Sequence, residues 1–472
     1  LRYISTRGTA PTLEFDDVLL SGLARDGGLY IPESWPTFSQ EDLVRMSGMS
    51  YCDLAVEIIA PFMTGSAALN KLPQLIEAAY AGFGHPAVTP LRQLEGNLWL
   101  LELFHGPTLA FKDVALQLLG QLFEVVLEAR DQRVTIVGAT SGDTGSAAIE
   151  AVMGKARATL YMLHPKGRVS EVQRRQMTTV DAANIHNLAV AGTFDDCQDL
   201  VKAMFNDQAF RDRHNLAAVN SINWARVMAQ IVYYFWAGLA LGAPHRPVAF
   251  AVPTGNFGNV YAGYAARQMG LPIERLVVGS NHNDILTRFL DSGTMAMEGV
   301  SPSYSPSMDI QVSSNFERLL FDLLGRDGAA VTATMRQFRE EGRFTLDPAS
   351  LAQATALFQG VRFDDEETLA EIARRHTRDG ELTDPHSAIA IAAARSTAKG
   401  SVCPLVALAT AHPAKFPDAV EKATGLRPAL PTRLADLLDR PEYALDVPAD
   451  LAHLEGLIDD GDKVAQQGAP TI

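Results

Sequence analysis

Arg133-Val134-Thr135-Ile136-Val137-Gly138-Ala139-Thr140-Ser141-Gly142-Asp143-Thr144-Gly145-Ser146 reads as a buried strand, a polar glycine-bearing turn and the opening of an Ala-rich helix. Val134 to Val137 is a short apolar run rich in β-branched residues, and Gly145 to Val152 carries the helix. The same texture recurs downstream. Ala158 to Leu163 predicts a second strand, Ser170 to Met177 a polar helix, Ile185 to Val190 a third strand and Asp195 to Phe205 another helix. Beyond a long amphipathic helix over Ile222 to Leu241, a second set of strands is predicted at Pro247 to Val252, Arg275 to Gly279 and Val402 to Ala409. Upstream, Leu98 to Phe104 reads as a strand and Val114 to Leu127 as a helix. Repeated strand-helix units imply parallel pairing with helices on both sheet faces. The expectation is an α/β protein with two parallel-sheet domains.

A chain of 472 residues is too long for one ordinary core. The texture divides it into a mainly helical N-terminal region (1–95), a strand and helix packing with the large domain (96–132), a small α/β domain (133–220), a large α/β domain (221–426) and a peripheral tail rich in Pro, Asp and Leu (427–472). A net charge of −15 argues against nucleic acid as a partner and leaves room only for a local basic pocket. Cys52, Cys197 and Cys403 are too widely spaced for a zinc or redox pairing pattern, so no metal is expected. Charged residues precede any sustained apolar run, and no stretch reaches the length of a membrane span. A cytoplasmic enzyme of small molecules is the expectation.

Ligands in open α/β sheets bind beyond the carboxyl ends of strands, so the loops there carry the chemistry. His105-Gly106-Pro107-Thr108-Leu109-Ala110-Phe111-Lys112-Asp113 puts a lysine at a strand-to-helix junction. Desolvation and the positive end of a helix dipole favour its neutral amine, the form that attacks a carbonyl. The competing reading is a surface lysine on a first helical turn. Thr140 to Ser146 offers amides and hydroxyls for an anion, or only a helix cap. Pro253-Thr254-Gly255-Asn256-Phe257-Gly258-Asn259 opens a helix after a strand, and its glycines let a phosphate approach closely. It lacks the lysine and hydroxyl of a P-loop and the Gly-x-Gly-x-x-Gly dinucleotide fingerprint, which sets a dehydrogenase aside. In Thr410-Ala411-His412-Pro413-Ala414-Lys415-Phe416 a strand-end hydroxyl can meet a ring nitrogen without protonating it. His412 is an acid-base candidate or a structural hydrogen-bonding residue.

A reactive lysine, a carboxylate loop, a phosphate loop and a ring-nitrogen hydroxyl together describe a pyridoxal phosphate site. The chain resembles the threonine synthases of the bacterial and fungal branch over most of its length. Tyr3 to Gly8, Gly22 to Pro32, the Lys112 segment, Ser141 to Gly145, Gly192 to Gln198, Ser221 to Arg226, Gly255 to Asn259, Asn283 to Leu286 and Ser307 to Leu320 carry the resemblance. It implies a fold type II pyridoxal enzyme, tryptophan synthase β-like, with its active site between two α/β domains. By the resemblance Lys112 is the Schiff-base lysine, Gly255, Asn256, Phe257, Gly258 and Asn259 bind the cofactor phosphate, and Thr410 meets the pyridine nitrogen. Thr140, Ser141, Asp143 and Thr144 lie in the loop that meets the substrate. Many relatives of the fold carry Asn where Asp143 stands, and a carboxylate cannot donate as that amide does. The role of Asp143 stays open.

The implied reaction converts O-phospho-L-homoserine and water to L-threonine and phosphate, with Lys112 shuttling protons between Cα and Cβ. The leaving phosphate needs its own site, for which Lys166 and Arg168 are candidates beside Thr144, although a solvated surface loop accounts equally for that basic pair. The expected state is a monomer or homodimer. Two alternatives stand beside the synthase: a pyridoxal lyase of the same fold releasing an oxoacid, and a noncatalytic small-molecule sensor.

Overall fold

Val248–Pro253 and Leu405–Ala409 are buried at every position, as strands covered by helices on both faces must be. The structure is a computed structural model that describes residues 1–217, 221–398 and 402–466. Along the chain, the strands of its two main sheets are β1 (Leu91–Glu95), β2 (Leu98–Glu102), β3 (Val134–Ala139), β4 (Ala158–Pro165), β5 (Ile185–Ala191), β6 (Leu216–Ala217), β7 (Val248–Pro253), β8 (Ile273–Ser280), β9 (Phe358–Arg362), β10 (Leu405–Ala409) and β11 (Leu445–Pro448). The helices that bear on function are α1 (Lys112–Ala129), α2 (Asp143–Val152), α3 (Glu171–Thr178), α4 (Trp224–Ala240), α5 (Gly258–Gln268), α6 (Phe316–Leu323), α7 (Pro385–Thr397) and α8 (Leu451–Gln466).

The chain forms two compact units, the first made of Leu1–Leu118 with Ser221–Ala429 and the second of Leu119–Asn220 with Leu430–Ile472. In the first unit six strands run in the order β9-β8-β7-β10-β2-β1, parallel except for the antiparallel edge pair β1–β2. Val406 of β10 stands in register with both Phe250 and Trp99. One face packs Leu100, Ala251, Val277 and Ala407 against Ala390, Ile391 and Ala394 of α7, where small residues let the helix sit low on the sheet. Across the other face, a Cβ on Gly263 of α5 would fall 2.8 Å from the Tyr234 ring, so glycine is what permits α5 to lie this close. In the second unit five parallel strands run β11-β5-β4-β3-β6 over a core that includes Val137, Tyr161, Leu163, Val190 and Cys197. Each large aliphatic side chain buried in these cores contributes about 1.5–3 kcal/mol.

The structure corrects several boundaries. The N-terminal region expected over 1–95 does carry helices, but it belongs to the first compact unit, and its last strand, β1, is an edge of the large sheet. It also holds an antiparallel pair, Tyr3–Ser5 with Tyr30–Pro32. The expected 96–132 segment is divided, because the unit boundary falls inside α1 after Leu118. The small domain expected over 133–220 therefore starts earlier, at Leu119, and gains Leu430–Ile472. The tail expected over 427–472 is not peripheral: β11 is an edge strand beside β5, and Val447, Leu454 and Ile458 fill the second core. An edge strand with one buried residue in four gives no apolar run to read. Residues 467–472 of that tail lie outside the described residues. The last strand of the large sheet begins at Leu405, since Val402 is exposed.

Candidate active site

In the first unit the carboxyl ends of β2, β7 and β10 carry the Lys112 segment, the Gly255–Asn259 loop and Thr410. Lys112 is the first residue of α1 and only 8% exposed, its Nζ 5.1 Å from the centre of the Phe111 ring. Backbone bonds hold the segment before it. The Phe111 N–H donates to the Thr410 carbonyl at 2.8 Å and the His412 N–H to the Leu109 carbonyl at 3.0 Å, bridging Ala110 to Ala411. Asp113 is fully buried, and its carboxylate accepts the Thr108 N–H at 2.8 Å and the Thr108 hydroxyl at 2.7 Å. Its side chain fills the space that a Cβ on Gly106 would need. Burial pushes the Asp113 carboxyl up to about 6, against the pull of the Thr108 bonds and the charge of Lys415. Lys415 in turn donates to the Thr108 carbonyl at 2.7 Å. Two residues far apart in sequence, Lys112 and Thr410, are thus tied through a single peptide hydrogen bond next to the lysine.

Thr410 is buried, and its N–H donates to the Ser387 hydroxyl at 3.0 Å. His412 is a structural residue in this geometry: its Nδ1 accepts the Ala414 N–H at 3.2 Å, capping the turn Pro413–Lys415, and its ring meets Phe104 edge-on.

The Gly255–Asn259 loop leads from β7 into α5. Phe257 has φ 61° and its side chain offers no cap, so the first-turn amides of the helix are left for another acceptor. Gly255 lies so close to the Ser307 carbonyl that no Cβ fits. Asn259 accepts the Tyr233 and Tyr234 hydroxyls at 2.5 and 3.0 Å on Oδ1, while its buried Nδ2 has no partner among the described residues. An uncapped helix start, a glycine pressed against backbone and an orphaned buried amide fit a cofactor phosphate.

A second orphan stands nearby. Arg226, on the first turn of α4, is 4% exposed, and its Nε and Nη1 have no partner among the described residues. Burial draws its guanidinium down to about 10. Ser221, just before that helix, has its carbonyl 3.8 Å from where a Cβ on Gly258 would sit, so the starts of α4 and α5 are neighbours. The sequence reading missed Arg226. Its signal is a lone cation inside the apolar run Trp224-Ala225-Arg226-Val227-Met228.

In the second unit, the loop after β3 opens α2. The Thr140 hydroxyl accepts the Gly142 and Gly145 N–H groups, both at 2.9 Å, so Thr140 is at least a capping residue. Asp143 is the first residue of α2 and buried, its Oδ1 accepting from Gln173 Nε2 at 2.8 Å. It therefore acts as an acceptor at a helix start, where a carboxylate is favoured. Ser141 is exposed and Thr144 half-buried. Lys166 and Arg168 are both exposed, and Lys166 pairs with Asp446 at 2.7 Å with more than half of each side chain in solvent. That is the solvated-loop alternative for the basic pair. Among the described residues no cluster of His, Cys, Asp and Glu could hold a metal ion, and no helix is long and apolar enough to cross a membrane.

Comparison with known proteins gives the same reading along the whole chain. Residues 2–80 match the family "Threonine synthase N terminus", 83–362 "Pyridoxal-phosphate dependent enzyme" and 387–458 "Threonine synthase, C-terminal". The chain is 55% identical to the threonine synthase of Pseudomonas aeruginosa, over 97% of this chain and 98% of that one. A crystal structure of pyridoxal-phosphate-bound threonine synthase from Brucella melitensis superimposes with a TM-score of 0.95 at 52% identity, covering 98% of this chain and 99% of that one. The threonine synthase structure from Escherichia coli gives 0.82 at 32% identity, covering 98% and 100%. With a buried lysine heading a helix and an uncapped glycine loop at the ends of one parallel sheet, the chain belongs to the threonine synthase family of pyridoxal-phosphate-dependent, fold type II enzymes.

Proposed function

We propose that this chain converts O-phospho-L-homoserine and water to L-threonine and inorganic phosphate, with pyridoxal phosphate held on Lys112. The observation that carries the reading is the tethering of Lys112, buried at the first turn of α1, to the end of the strand that presents Thr410. The cofactor supplies, when bound, the electron sink that makes carbon acids of the substrate. The chain supplies the rest. Lys112 would anchor the cofactor's aldehyde carbon, and its Nζ, when free, would take a proton from Cα and one from Cβ and return them to Cγ, which becomes the methyl group, and to Cα. Gly255, Asn256, Phe257, Gly258 and Asn259 hold the cofactor phosphate with amide donors, and Thr410 offers a neutral hydroxyl to the ring nitrogen. Ser141, Thr144 and the loop that Thr140 caps receive the amino acid carboxylate. Asp143, held by Gln173, fixes that loop's entry into α2.

Phosphate leaves from Cγ as a dianion and needs a cation out of water. Arg226 is buried with two nitrogens unpartnered among the described residues, which supports it for this role over the exposed Lys166 and Arg168. We further read the enzyme as cytoplasmic, from its widely spaced cysteines, and without a nucleic-acid partner, from its net charge of −15, and we propose a monomer or homodimer. The test is product analysis on phosphohomoserine. Equal release of phosphate and threonine supports the synthase, whereas 2-oxobutanoate and ammonia would make it a lyase.

A further inference from the structure

The carbonyls of Gly255 and Asn256, the first two of the phosphate loop, are both claimed by one neighbouring segment. Ser313 donates its hydroxyl to the Gly255 carbonyl at 2.6 Å. Asn315 donates twice to the Asn256 carbonyl, from its backbone N–H at 3.1 Å and from Nδ2 at 3.0 Å. A trans peptide is planar with its N–H opposite its C=O, so a carbonyl held on one side turns the next amide to the other. Holding the Gly255 and Asn256 carbonyls therefore aims the Asn256 and Phe257 N–H groups away from Ser313 and Asn315. Asn315 is itself fully buried. Its Oδ1 accepts from Arg318 Nη1, and Arg318 is fixed by the carbonyls of Tyr30 and Ile222 at 3.0 and 2.6 Å. The same Nδ2 of Asn315 also reaches the Ser221 carbonyl at 3.0 Å, so one amide links the phosphate loop to the start of α4.

We propose that Asn315, seated by Arg318 and assisted by Ser313, is the positioning residue that orients the Asn256 and Phe257 amides and thereby sets affinity for the phosphate of the cofactor. This rests on the reading of Gly255–Asn259 as the phosphate loop. Asn315 touches the loop's carbonyl side, so it acts on the bound anion only through peptide orientation. A purely structural role would weaken all cofactor binding alike. An orienting role is specific to the phosphate.

The test is to strip the full-length enzyme of cofactor and titrate it with pyridoxal 5'-phosphate and with pyridoxal, which lacks the phosphate, following tryptophan fluorescence. Wild type, Ser313→Ala, Asn315→Asp and Gly258→Asp are compared. Asn315→Asp replaces the Nδ2 donor with an acceptor facing two carbonyls, while Ser313→Ala is mild enough to fold if the first does not. Expected is a loss of about tenfold in affinity for the phosphorylated form, the size of one charged-acceptor hydrogen bond, with pyridoxal affinity unchanged. Equal losses for both probes, or no loss for either, overturn the orienting role. Gly258→Asp places a carboxylate in the loop itself. If it keeps the wild-type preference for the phosphorylated probe, the loop reading fails. If it loses the preference while Ser313→Ala and Asn315→Asp keep it, only the role of Asn315 fails.

Discussion

Arg226 is a buried cation with two nitrogens that find no partner among the described residues, and such a group costs stability unless an anion completes it. Arg226→Met should accordingly raise the urea midpoint of the ligand-free enzyme while raising KM for phosphohomoserine about 10- to 100-fold, the loss of one charge-assisted contact. Cofactor content should stay unchanged. A variant with normal KM would return the phosphate site to Lys166 and Arg168. Asp113 poses a different question, because its carboxyl is pushed above its ordinary range to about 6. The folded state then holds its proton more tightly than the unfolded chain, so the stability from this group is full below about pH 4 and lost as pH rises through about 6. Asp113→Asn carries no titrating group. The difference in unfolding free energy, wild type minus variant, should fall by on the order of 2–3 kcal/mol between pH 4 and 6 and stay level above. A difference that rises over that window would contradict the assignment.

At the scale of single elements, α2 and α8 show how a helix is held at its start and by its face. Thr140 closes the start of α2 by accepting two amides on one oxygen. Thr140→Val keeps the shape and removes the acceptor, which should cost about 1–3 kcal/mol in chemical denaturation. The acidic sequence of α8 hides a buried face formed by Leu454 and Ile458 beside Val447 of β11. Leu454→Ala should cost about 2–5 kcal/mol. A cost under 0.5 kcal/mol, typical of surface positions, would restore the picture of a loose tail.

For the whole molecule, the decisive distribution is of ligand contacts. Every residue proposed to hold the cofactor lies in Leu1–Leu118 with Ser221–Ala429. A ligand that binds only the folded state stabilises it by about 2.7 kcal/mol at a hundredfold excess over its dissociation constant. Removing pyridoxal phosphate should therefore lower the thermal midpoint, and hydrogen exchange should quicken most at α5 and the first turn of α1. Quickening confined to α2 and β4 would place the cofactor elsewhere.

Much of this was legible in the sequence, for a local reason. Val134 to Val137 and Val248 to Val252 are strands, as short β-branched apolar runs flanked by turns favour, and a loop between strand and helix lies beyond the carboxyl end of its strand wherever that strand sits in the sheet. That logic, with the resemblance, singled out Lys112, Gly255–Asn259 and Thr410. Burial and partnership are properties of the packed chain, so the sequence could not rank them. It offered Lys166 and Arg168 as cations while passing over Arg226, since exposure of the first pair and isolation of the last appear only once elements pack. It read β11 and α8 as a tail because β11 buries one residue in four and the buried positions of α8, Leu454 and Ile458, stand among acidic neighbours. Sequence alone determined which peptides become strands, which become helices and which turns carry glycine and lysine. Only the tertiary structure decided that Phe111 bonds to Thr410 and Asn315 to Asn256, because strand bridging and packing join segments without regard to their distance along the chain.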